Sequence, residues 1–139
     1  MSRKNIITLI IITLFIGLIA YTFFQEKTEI KKVVFTENKE ISFDEVEKID
    51  KDKDFEFSTN SQIYAVIIVS NMKKSDKLKI EWYCNSSLYQ QSSFEAKEEG
   101  LAKIIISLIK KDSQNQKGYY QLKISLNDNQ PQVFSFTVK

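Results

Sequence analysis

The segment KLKIEWYC, Lys77 to Cys84, alternates strictly: Leu78, Ile80, Trp82 and Cys84 fall on one side, Lys77, Lys79 and Glu81 on the other. A period of two belongs to a strand with one buried face. Similar signals recur from Phe55 onward, separated by Asn, Asp, Ser and Lys. DFEF alternates. QIYAVIIVS (Gln62 to Ser70) is a long apolar run, as in a strand covered on both faces. SLYQQSSFEAK reads as a polar strand or two short ones. AKIIISLIKK (Ala102 to Lys111) reads as strand, because three consecutive isoleucines disfavour helix. Its flanking lysines would guard it against aggregation. GYYQLKISLNDNQPQVFSFTVK reads as a hairpin, with Tyr120, Leu122, Ile124 and Leu126 inward and NDNQP turning. Upstream, EIKKVVFT (29–36) reads as a first strand, and DEVEKIDKDKD (44–54) as an exposed loop or helical turn. About seven strands with turn signals every 8–15 residues point to an antiparallel β-sandwich. With three glycines and one proline, longer loops are expected rather than tight primed hairpins.

The N-terminus carries a different signal. Ile6 to Phe24 holds 19 residues without a charge, roughly 28 Å as a helix, against a hydrocarbon core of about 30 Å. The expectation is a transmembrane signal anchor over 6–24, behind a short cytoplasmic tail, 1–5. The rival is a cleaved signal peptide, whose apolar region runs about 7–15 residues. Arg3 and Lys4 before the run favour N-inside. The expected organisation is then a juxtamembrane segment over 25–54 and a sandwich over 55–139 that borrows the strand 29–36. The expected location is the cell membrane, single-pass, with the C-terminal domain outside the cytoplasm.

Charge excludes one partner class. The chain has 20 Lys+Arg and 18 Asp+Glu; without Arg3 and Lys4 the balance is 18 against 18. A neutral, mixed surface offers no footprint for nucleic acid. Chemistry is sparse too. There is no histidine and one cysteine, which removes Ser-His triads and the usual zinc sites. DKDKD, Asp50 to Asp54, resembles the start of a calcium loop. Phe55 stands where that loop needs glycine, however, and Ser61 where it needs glutamate. No catalytic residue, metal or cofactor is expected.

IYAVIIVSN, IEWY, GYYQL and FSFTV, spanning Ile63 to Val138, together resemble the disulfide-free immunoglobulin-like domains of bacterial envelope proteins. That resemblance implies an Ig-like sandwich with Trp82 in its core and Tyr120 two residues before Leu122, which takes a cysteine's place. The partner cysteine's place falls to Val66 or Ile68, so an aliphatic pair on the tryptophan would replace the disulfide. Cys84 would be a small buried thiol. Tyr83, Tyr89 and Tyr119 are the candidate binding surface. The expected function is non-enzymatic protein–protein interaction, as an accessory subunit beside an unidentified envelope protein partner. The alternative is a module for cell-wall glycan or a small ligand, which clustering of the tyrosines on one sheet face would favour.

Overall fold

Strand β3, Tyr64–Met72, is the axis of the smaller of two sheets, and both of its faces are covered. The computed structural model describes residues 2–24 and 26–139, with side chains described outside 19–24. β1 (Glu29–Thr36) and β6 (Gly100–Ser107) flank β3, both antiparallel to it. The larger sheet has the order β2-β8-β7-β4-β5. Its members are β2 (Glu56–Phe57), β8 (Gln132–Val138), β7 (Gly118–Leu126), β4 (Lys77–Cys84) and β5 (Ser87–Glu95). Among the described residues only the β2–β8 pairing is parallel. The fold is therefore all-β, with two sheets consistent with a sandwich.

Register decides what faces the interior. Leu78, Ile80 and Trp82 lie opposite Leu126, Ile124 and Leu122, and all are buried. From the smaller sheet, Phe35 reaches Trp82, with ring centroids 6.3 Å apart. Phe35 pairs with Ala65, and Val33 with Ile67, so this face of β3 is the inner one. Val34, Val66, Ile68 and Lys103 lie on the outer face. A short helix, α2 (Phe43–Lys48), covers it with the fully buried Val46. Two lysines pin that cover: Lys32 Nζ donates to the Glu47 carbonyl (3.0 Å) and Lys103 Nζ to the Ile41 carbonyl (2.7 Å). α2 starts on a capping box. The Glu45 amide donates to Ser42 Oγ, and the Ser42 amide to the Glu45 carboxylate, so two free helix-start donors are satisfied. The backbone and hydroxyl of Ser42 hold the Glu45 carboxyl below its ordinary range.

Two expectations are corrected here. The first concerns the turns. The β4–β5 hairpin is a two-residue turn with both φ positive, Asn85 at 47° and Ser86 at 70°, the geometry that matches strand twist. The second concerns the N-terminus. It forms a helix, α1 (Arg3–Phe24), yet among the described residues no helix is long and apolar enough to cross a membrane. The apolar side chains described in α1 run from Ile6 to Leu18. That stretch gives about 20 Å of helix, short of the about 30 Å core of a bilayer. The remainder of the expected span, 19–24, lies outside the described side chains. The transmembrane helix expected over 6–24 is therefore not supported.

Candidate functional site

The sandwich is open along one side. β5 ends the larger sheet and β6 the smaller, and a groove of about 840 Å³ runs between them. Phe94 and Ser92 line one wall, Ile104 and Ile106 the other, and Met72 lies at one end. The end of β5 and the turn from it to β6 rim the groove with Glu95, Lys97, Glu98 and Glu99. Phe94 and Ser92 point inward because they sit opposite Leu78 and Ile80. Ser92 Oγ is buried without a hydrogen-bond partner.

One side chain closes the far end of the groove. Gln90 donates from Nε2 to the Ser107 carbonyl (3.0 Å), while its Oε1 accepts from the Ile109 amide (2.8 Å). On the opposite side, the Leu108 amide donates to the Ile63 carbonyl (2.9 Å). Backbone direction alternates along a strand, and in an antiparallel pair alternate residues exchange both bonds. Even-numbered residues of β6 therefore bond to β3, and the amides and carbonyls of Leu101, Lys103 and Ile105 point toward the groove.

The expected core residues are buried, but their arrangement differs from the expectation. Trp82, Tyr120, Leu122 and Val66 are fully buried, and Ile68 and Cys84 nearly so. Val66 and Ile68 lie on the face of β3 away from Trp82. Aromatic rings pack on the tryptophan instead. Phe136 lies 6.2 Å from it edge-on and stacks on Tyr120 at 4.9 Å, and Phe35 completes the cluster. Such pairs are worth about 0.5–1.5 kcal/mol beyond their burial. β3 is apolar throughout, so its periodicity gave no sign of which face met the tryptophan. Phe35 and Phe136 were not singled out from the sequence.

The tyrosines divide. Tyr83 and Tyr119 share the outer face of the larger sheet, on neighbouring strands. Tyr83 donates to Glu81 (3.0 Å) under the Lys123 ammonium, and the Glu81 hydrogen bond, with burial, raises its phenol above the ordinary value. Tyr119 is half exposed. Tyr89 belongs elsewhere. Its ring meets Tyr120 edge-on at 5.9 Å, and its hydroxyl donates to the Ile109 carbonyl (3.1 Å). The structure does not gather the three on one sheet face. Among the described residues, no three His, Cys, Asp or Glu side chains group to hold a metal.

No protein-family model matches the chain, and no curated protein matches it.

Proposed function

We propose that this chain is a non-enzymatic interaction module of immunoglobulin-like build, and that it binds another protein. The observation that carries the reading is the groove between β5 and β6. It is bordered by apolar side chains and by unpaired strand edges, and such edges are ready templates for another chain. The immunoglobulin-like part draws support from Trp82 at the centre of the interior. It also draws support from the Tyr120 hydroxyl, which donates to the backbone four residues upstream, a recognised feature of such sandwiches. An accessory role beside an envelope protein, outside the cytoplasm, belongs to the same proposal.

The test is crosslinking in intact cells that express the tagged full chain, followed by mass spectrometry of the captured species. One stoichiometric protein partner is the expected result. Absence of a protein partner, together with retention of the chain on isolated cell wall, would replace this reading with glycan binding.

A further inference from the structure

The geometry points to strand addition: we propose that β6 accepts an extended segment of a partner protein as a fourth strand of the β1-β3-β6 sheet. This rests on the interaction reading above and specifies its mode. Three observations lead to it. First, β6 is a sheet end whose outward amides and carbonyls at Leu101, Lys103 and Ile105 face the groove rather than another strand. Second, the Gln90 carboxamide already bonds the next outward pair, the Ser107 carbonyl and the Ile109 amide. A side-chain amide there does what the backbone of an added strand would do, and it marks where the open stretch ends. Third, Ser92 Oγ faces the same groove buried and unpartnered, an unmet need that a polar atom of an occupant would satisfy.

Apart from a register shift in β3 opposite its first residues, the usual protections of an edge are missing from β6. Natural edges carry charges, prolines or bulges. Lys103 is the only charged residue within β6, and its ammonium is held by the Ile41 carbonyl beside the Phe43 ring. It does not guard the edge. β5, by contrast, presents the polar SSFE sequence.

The occupant's chemistry follows. It is slim, because β6 faces β5 across the groove along its length; a single strand enters there and a second sandwich does not. Its alternate side chains are apolar, to meet Phe94, Met72 and Ile104. It is basic beside that apolar stretch. Glu95, Glu98 and Glu99 at the rim outnumber Lys97, and none of the three forms an ion pair among the described residues.

The test uses the full chain and a panel of blocked synthetic peptides of the form Lys-Val-Thr-Val-Thr-Val-Lys, with Val replaced in turn by Ile, Leu and Phe. Controls are the same peptides N-methylated through their central residues, which keeps the side chains and removes the donors. Amide hydrogen exchange is read residue by residue. The expected result is a slowing of about tenfold or more at Lys103 and Ile105 with plain peptides and none with methylated ones. Glu98→Lys with Glu99→Lys, both exposed, is expected to weaken the effect while unbound exchange stays unchanged. Ile105→Pro removes one outward donor without taking a bond from β3, and is expected to abolish it. The proposal is overturned if no peptide slows these amides, if methylated peptides act equally, or if protection appears at β1 or β5 instead. A partner captured in cells whose crosslinks map to the β7–β8 turn would leave the interaction reading standing and remove strand addition.

Discussion

The Tyr120 hydroxyl donates to the Gln116 carbonyl oxygen 2.7 Å away, pinning the loop that leads into β7 against the same ring that stacks on Phe136. One side chain thus joins the interior to the connection that feeds it. Its environment is also electrostatic. Burial, then the neighbouring Cys84 thiol and Tyr89, push the phenol well above its ordinary value.

That shift predicts an alkaline limit. In the unfolded chain Tyr120 ionises near pH 10, while in the folded chain it stays neutral to higher pH. Its contribution is fully present below about pH 10 and is lost as pH rises from there toward the folded value. Tyr120→Phe should cost about 1 kcal/mol at neutral pH through the lost hydrogen bond. It should also flatten the decline above about pH 10. Urea titrations of both proteins from neutral to alkaline pH check this, and parallel slopes would contradict it.

Trp82→Ala should destabilise the sandwich by about 3–5 kcal/mol. The indole is fully buried and holds Phe35 and Phe136 in place. Trp82→Phe should recover part of the loss. Equilibrium denaturation reads both, and an unchanged midpoint for the alanine variant would remove Trp82 from the core.

Gly118 has φ of 148°, a conformation that costs any residue with a Cβ. A Cβ there would also collide with the Asn85 carboxamide, whose oxygen accepts from the Tyr119 amide at 3.0 Å. Gly118→Ala should therefore cost about 1–3 kcal/mol. Asn85→Gly in the same chain should restore part of this, since it clears the collision and glycine suits a positive φ. Additive losses in the double variant would show that the collision is not the cause.

Asp76 ties three segments. Its carboxylate accepts from Thr28 Oγ1 (2.7 Å), the Lys73 amide (2.8 Å) and Asn127 Nδ2 (2.8 Å). Burial pushes its carboxyl up, but these bonds outweigh burial and hold it below the ordinary value. Its contribution is therefore present above about pH 4 and lost as pH falls through the lower, folded value. Asp76→Asn should reduce stability at neutral pH by about 1 kcal/mol and converge with the parent in acid. Thermal melts from neutral to acid pH test this; a constant gap between the two would refute it.

Strands whose two sides differ were legible in the sequence. Residues 29–36 and 77–84 fall within the expected bounds, and the isoleucine run proved a strand. What failed was whatever depends on a distant partner. The face of β3 that meets Trp82 is set by pairing with β1, and an apolar run hides it. The groove exists because β5 and β6 end their sheets, which neighbouring residues do not reveal. Two local signals were readable but obscured. Ser42 and Glu45 have capping-box spacing inside a stretch dominated by charge. Asn85-Ser86 makes a primed turn without the usual glycine.

The order of the larger sheet bears on how the chain can be assembled. β4 has β5 on one side and β7 on the other, so the hairpin 118–138 supplies the middle of that sheet and half of the rings around Trp82. The smaller sheet is complete once residue 107 is made, but it then has no finished layer to close upon. During synthesis one edge of β4 waits, unpaired, for a hairpin that emerges later. Folding is thus concentrated at one late event rather than spread along translation, and a ribosome that stalls before residue 118 leaves a chain with its apolar surface open to aggregation.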